Sequence, residues 1–185
     1  VAIQAEFKRD SNLDYALDEI CVSNGAKQAI FNAIMATVDP EDEVVIPVPS
    51  WIAYTQMVQL CEATPVLVTC PQNNGFKPRA EDIDAAITPK TKWLILNNPN
   101  NPTGACCSAE ELEAIAKVMR KHPHVWIMSD DMYEHLVFDG FKHTTMAQIA
   151  PDLKDRTLTV SGVSKTYAMT GWRVGFVGGP KNLIK

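Results

Sequence analysis

A lysine and an arginine stand eight residues apart in the run Val160-Ser161-Gly162-Val163-Ser164-Lys165-Thr166-Tyr167-Ala168-Met169-Thr170-Gly171-Trp172-Arg173-Val174-Gly175. An apolar run, Leu158–Val160, delivers Lys165 into a stretch of small residues. A lysine amine held in a partly desolvated pocket condenses with aldehydes to a Schiff base. A guanidinium such as that of Arg173 is shaped to hold a phosphate. Pyridoxal 5′-phosphate (PLP) carries both an aldehyde and a phosphate. A solvated lysine in a polar loop is the commoner meaning of a Ser-Lys pair, so the case rests on the rest of the chain.

Three further loops carry unusual residues. Ser23-Asn24-Gly25-Ala26-Lys27-Gln28 follows the apolar run Ile20–Val22 and opens a helix. Free backbone N–H groups and the helix dipole make such a terminus an anion site, and Gly25 permits close approach. Plain helix capping by Ser23 or Asn24 is the competing reading. Asn97-Asn98-Pro99-Asn100-Asn101-Pro102-Thr103-Gly104 follows Trp93–Leu96 as a rigid turn rich in amide donors. Ser129-Asp130-Asp131-Met132-Tyr133-Glu134 follows Val125–Met128, so that Asp130 could face a protonated ring nitrogen and Tyr133 a ring oxygen. Trp51, in Pro49-Ser50-Trp51, could stack on a planar ring, although core packing is the usual fate of a lone tryptophan.

The elements that must position these residues alternate along the chain. Strands are predicted at Ile20–Val22, Glu43–Val48, Pro65–Thr69, Trp93–Leu96, Val125–Met128, Leu158–Val160 and Val174–Val177. Several are apolar throughout, as expected where both sheet faces are covered. Helical spacing runs over Lys27–Val38, with Ile30, Phe31, Ile34, Met35 and Val38 on one face, and over Tyr54–Glu62, with Tyr54, Met57, Val58 and Cys61. The clearest helix is Ala109–Lys121, where Ser108 and Glu111 form a capping box ahead of the stripe Leu112, Ile115, Ala116, Met119. Val1–Tyr15 reads as the end of a helix and Pro180–Lys185 as the start of another. The pattern predicts an α/β domain, a mostly parallel seven-stranded sheet with helices on both faces. Ligands of such sheets gather at the carboxyl ends of the strands, where the unusual loops lie.

Composition narrows the field further. The 185 residues carry a net charge of −5, with acidic and basic groups interspersed, so neither nucleic acid nor a disordered tail is indicated. No apolar run approaches a membrane span and no signal-peptide layout opens the chain, which makes a cytoplasmic location the expectation. Five cysteines, with Cys106 and Cys107 adjacent and no C-x-x-C pair, form no disulfide framework. His122, His124, His135 and His143 show no paired metal-ligand spacing, and no metal is expected.

The ordered strings GAKQA, PSW, NNPNNPTG, SDDMYEH and SKTYAMTGWRVG resemble the class I/II aminotransferases of PLP fold type I, most closely their bacterial aspartate aminotransferase branch. The resemblance covers essentially the whole chain. It implies that Lys165 binds the cofactor aldehyde and shuttles a proton, and that Asp130 pairs with the pyridinium nitrogen. It implies that Tyr133 and Asn101 bond the ring oxygen, and that Trp51 stacks on the ring. Arg173 would hold the phosphate with the backbone of Gly25, Ala26 and Lys27. Asp131 would be structural. Relatives often carry a phosphate-binding serine where this chain has Gly162, so Ser161 or Ser164 would stand in. Lys27 would add charge or point to solvent.

Family members are longer than this chain. Residues 1–185 therefore read as the PLP-binding large-domain core, truncated at both ends. The arginine that grips the substrate carboxylate and the segment that completes a partner subunit's site would lie outside it. The resemblance implies transamination between an amino acid, with aspartate favoured, and a 2-oxo acid such as 2-oxoglutarate. A homodimeric full-length parent would perform it, and the 185 residues alone would turn over poorly. A PLP-binding module of a non-transaminase, such as a transcription regulator, is the alternative, but no basic helix-turn-helix segment is present. Nucleotide-binding and serine-hydrolase readings lack G-x-G-x-x-G, G-x-x-x-x-G-K-[ST] and G-x-S-x-G strings.

Overall fold

Each predicted strand forms, and all seven join one sheet. In the computed structural model, which describes residues 1–185, the strands are β1 (Ile20–Asn24), β2 (Glu43–Val48), β3 (Thr64–Thr69), β4 (Thr91–Asn97), β5 (Trp126–Asp130), β6 (Thr157–Gly162) and β7 (Val174–Gly178). Their order across the sheet is β1-β7-β6-β5-β4-β2-β3. The pairs β2–β3, β2–β4, β4–β5 and β5–β6 are parallel. Strand β7 runs antiparallel to both β1 and β6. One reversal therefore qualifies the parallel pattern, and it matters for the site. The carboxyl ends of β1 and β6 and the start of β7 all fall on one edge.

Alternation within the central strands divides the core in two. Val44, Ile46, Trp93 and Ile95 face helices α2 (Ala26–Thr37) and α3 (Ala53–Leu60). Val45, Leu94, Leu96 and Ile127 face helices α4 (Ala80–Ala86) and α5 (Ala109–Lys121). A strand buried on both faces must be apolar at successive positions, which is why these runs showed no alternation. Burying each such large side chain stabilises by roughly 1.5–3 kcal/mol.

Helix α5 has the predicted bounds and box: the Ser108 hydroxyl accepts from the Glu111 N–H, and the Ser108 N–H donates to the Glu111 carboxylate. Helix α2 differs from expectation. Its buried face is Ala26, Ala29, Ile30, Ala33 and Ile34, while Met35 is 50% exposed. The alanines let the helix lie close to the sheet, which turns the face away from Met35. Cys61 falls just past the end of α3.

Helix α1 (Ala2–Ser11) ends at Asn12, which takes a left-handed φ of 52°. Helix α4 escapes sequence reading because a single residue of its seven, Ile83, is buried. Short helices α6 (Met146–Ile149), α7 (Val163–Thr166) and α8 (Lys181–Ile184) complete the chain. No helix is long and apolar enough to cross a membrane.

Candidate active site

A cleft of about 310 Å³ opens at the carboxyl edge of the sheet, within the size range of small-molecule sites. Its walls include Ala26, Lys27, Trp51, Asn101, Asp130, Tyr133, Ser164, Lys165 and Arg173. Five segments, from Ala26 to Arg173, thus meet in one place.

Asp130 is the last residue of β5 and is buried. Its carboxylate accepts from the Tyr54 hydroxyl and, at 3.3 Å, from the Met132 N–H. Burial pushes the carboxyl up to about 6, aided by repulsion from Asp131 and resisted by the Tyr54 and Met132 hydrogen bonds. No lysine, arginine or histidine nitrogen lies within 4 Å of it. A buried carboxyl in that state is ready to receive a cation.

Tyr54 is a site residue that sequence reasoning assigned only to the core. It is buried in the first turn of α3, and burial followed by the Asp130 charge holds its hydroxyl well above the usual phenol range. Its position three residues after Trp51 was the available signal. Tyr54→Phe should move the Asp130 titration upward from about 6 by about one pH unit, since a hydrogen bond to a charged group is worth about 1.5–3 kcal/mol. Carboxyl carbon NMR would read the change.

The Asn97–Gly104 turn is bound to the end of β5. The Asn97 amide and the Asn98 N–H both donate to the Asp130 carbonyl, at 3.0 and 3.1 Å. Asn101 donates from its backbone to Asn97 Oδ1 at 2.7 Å, which aims its own amide at the Tyr133 hydroxyl, 3.3 Å away. Lys165 Nζ lies 5.7 Å from the centroid of the Tyr133 ring. Lys165 lines the cleft from α7, but the residue is exposed rather than desolvated.

The two serines part company. Ser164 is buried and lines the cleft, whereas the Ser161 hydroxyl donates to Glu134 at 2.6 Å and does not reach it. Gly162 has a packing reason. A Cβ there would lie 2.9 Å from the Val174 carbonyl and 3.0 Å from Gly175 Cα, so the β6–β7 pairing leaves no room for serine.

The end of the cleft beside Arg173 is built on Gly25. Neither Ser23 nor Asn24 caps α2: the Ser23 hydroxyl donates to the Gly25 and Gly175 carbonyls instead. Ala26 and Lys27 open the helix toward the cleft, while the Gly25 N–H is already used on the Ser23 carbonyl. Gly25 has φ 84°, and a Cβ on it would lie 2.0 Å from an Arg173 guanidinium nitrogen. Arg173 itself takes a left-handed φ of 53°, which costs a non-glycine residue about 1–2 kcal/mol. Its guanidinium donates to the Thr170 and Asn24 carbonyls. The antiparallel course of β7 puts Arg173 here, one residue before Val174 pairs with Asn24.

Lys27 lines the cleft, although the residue is exposed. Its ammonium lies 4.9 Å above the Trp51 ring, which meets Tyr54 edge-on at 5.3 Å. Lys27, Lys165 and Arg173 have no carboxylate within 4 Å. The cleft therefore offers three cations without a carboxylate partner, a buried acid and the hydrogen-bonded Asn101–Tyr133 pair.

Comparison with known proteins gives this arrangement a family. The aspartate aminotransferase of Rhizobium meliloti (strain 1021) is 55% identical over 184 residues, covering all of this chain and 45% of that protein. The crystal structure of the Rhizobium meliloti enzyme superposes with a TM-score of 0.97, covering 99% of this chain and 46% of its own. A probable aspartate/prephenate aminotransferase of Rickettsia bellii (strain RML369-C) is 59% identical over 184 residues, again covering all of this chain and 46% of the relative. The Thermus thermophilus aspartate aminotransferase, solved with maleate, superposes with a TM-score of 0.93 at 41% identity, over 99% of this chain and 47% of its own. The chain spans about half the length of the relatives it matches. Its sheet has the architecture of the fold type I large domain. Residues 2–185 match the family described as aminotransferase class I and II, and the chain belongs to that family.

Proposed function

We propose that this chain is the PLP-binding core, residues 1–185, of an aminotransferase that moves the amino group of aspartate to a 2-oxo acid such as 2-oxoglutarate. The observation that carries the reading is Asp130, a buried carboxyl with no protein cation beside it, in a cleft whose other end is a guanidinium lying on a glycine. Those residues fit PLP, which has a protonatable ring nitrogen at one end and a phosphate at the other. Bound there, it supplies an aldehyde that condenses with amines and a ring that draws electrons from the adjoining carbon.

The chain's own residues then divide the work. Asp130 holds the proton on the ring nitrogen, and Tyr54 and Met132 keep its carboxylate aimed. Tyr133 and Asn101 hold the ring oxygen, and Trp51 covers the ring face. Arg173, the Ala26 and Lys27 N–H groups and the Ser164 hydroxyl take the phosphate. Lys165 Nζ would be the amine that holds the aldehyde, and as a free amine it would take the proton from the substrate α-carbon. Lys27, unpaired and inside the cleft, suits the second carboxylate of a dicarboxylic substrate. The maleate-bound Thermus relative supports that choice. We read the full-length protein as a cytoplasmic homodimer, in keeping with the resemblance and with five free cysteines. The relatives' enzyme names support this reading over a regulator module.

The test is a half-reaction. L-Aspartate should discharge the near-visible band of the PLP-loaded full-length protein and release oxaloacetate. L-Alanine, lacking the second carboxylate, should do so about tenfold more slowly or worse, the worth of one charge-assisted contact. A band that no amino donor discharges would sink the transaminase reading.

A further inference from the structure

Behind Asp130, on the side away from the cleft, lies a buried polar cluster that the proposed chemistry does not use. His143 Nε2 sits 3.0 Å from the Asn98 carbonyl and 3.5 Å from an oxygen of Asp131. Carbonyl and carboxylate oxygens only accept, so Nε2 carries the hydrogen and both contacts are donations from the ring. The side chains are almost fully enclosed, with 9% of His143 and 1% of Asp131 exposed. Asp131 also accepts from the Ser129 hydroxyl at 3.1 Å, and Ser129 meets Thr145 Oγ1 at 3.1 Å. His143 comes from a segment outside every helix and strand.

The two residues it touches belong to the two segments that form the ring-oxygen pair. Asn98 stands three residues before Asn101, and Asp131 stands two before Tyr133. The Asn101–Tyr133 contact is 3.3 Å, a distance at which a small displacement loses the bond. We propose that His143 is a positioning residue, a brace between Asn98 and Asp131 that sets the Asn101–Tyr133 pair for the ring oxygen. This rests on the aminotransferase reading above.

The surrounding charges favour the imidazolium. Asp131 and Glu134 face it, with His135 and Tyr15 further round the same cluster. Burial pulls the ring down, but the hydrogen bond and charge of Asp131, the charge of Glu134 and the Asn98 carbonyl together push it above 6.5. Glu134 is pushed up, chiefly by burial and then by Asp131, with the Ser161 hydrogen bond and the His143 and His135 charges opposing.

The experiment follows the pH transition of the Lys165-dependent near-visible absorbance in the PLP-loaded chain. It compares His143→Gln, which keeps an N–H donor without charge, with His143→Leu, which keeps neither. Donors to an anionic ring oxygen, and a nearby positive charge, both favour the deprotonated chromophore. Loosening the pair should therefore raise the midpoint by about half a pH unit in His143→Gln and more in His143→Leu, the equivalent of one weakened hydrogen bond. A purely structural histidine would lower thermal stability and leave the midpoint alone. His143→Gln carries the test if the leucine variant fails to fold. A normal band with an unmoved midpoint in His143→Gln would overturn the brace and leave the aminotransferase reading standing. A chain with no Lys165-dependent band would overturn both.

Discussion

Reduction with borohydride of the chain incubated with PLP should fix a single equivalent of cofactor on Lys165, and the Lys165→Ala variant should fix none. Two lysines line the cleft, so the result discriminates between them. Lys27 lies over Trp51, on the ring-face side, whereas Lys165 lies near the Tyr133 ring, beside the ring-oxygen pair. An aldehyde next to that oxygen falls within reach of Lys165. The near-visible band should vanish with Lys165→Ala, while Lys27→Ala should keep it. The affinity lost with the covalent link is large, but Asp130 and Arg173 remain. The variant should thus still bind PLP non-covalently, detectable by equilibrium dialysis. Peptide mapping that found the label on Lys27, or scattered over exterior lysines, would remove Lys165 from its role.

How much of this could be read from residues alone depended on distance along the chain. The seven strands and helix α5 were legible because their signals are local: unbroken apolar runs, and Ser108 placed three residues before Glu111. Asn101, Tyr133, Lys165 and Arg173 were legible as types at strand ends, and the structure brings all four to one cleft. Other features needed the third dimension. The reversal of β7 is decided by how residues 163–173 turn, and no periodicity records it. Tyr54 reaches Asp130 across 76 residues, so its spacing within α3 showed only that it was inside. Ser161 and Ser164 were equivalent in sequence; the end of β6 sends one to Glu134 and the other to the cleft. Met35 was misplaced because helical spacing cannot distinguish a face lined with alanines from one lined with larger side chains.

Asp130→Asn should act with opposite sign on cofactor binding and on folding. Removing the carboxylate leaves the ring-nitrogen proton without its buried partner, and breaking a buried ion pair from one side costs about 3–5 kcal/mol. PLP affinity should fall roughly 10²–10³-fold. Wild-type binding should also tighten as pH rises through about 6, where Asp130 ionises, and the variant should show no such rise. Folding moves the other way. The Asp130 carboxyl goes from 3.8 to about 6 in the folded chain, so the unfolded chain ionises first as pH rises. The Asp130 contribution to stability is therefore most favourable below pH 4, declines as pH climbs to about 6, and stays lower above it. The loss is up to about 3 kcal/mol, two pH units at 1.36 kcal/mol each. Asparagine keeps the hydrogen bonds, because Oδ1 still accepts from Met132 and the Tyr54 hydroxyl can turn to accept from Nδ2. The cofactor-free variant should then be more stable than wild type at pH 7, with no difference at pH 4, in urea titrations at the two pH values. A variant destabilised at pH 7 would mean that the Tyr54 bond, and not the buried charge, dominates at this position. The expected outcome is a residue that weakens the empty domain and is held there by what it binds.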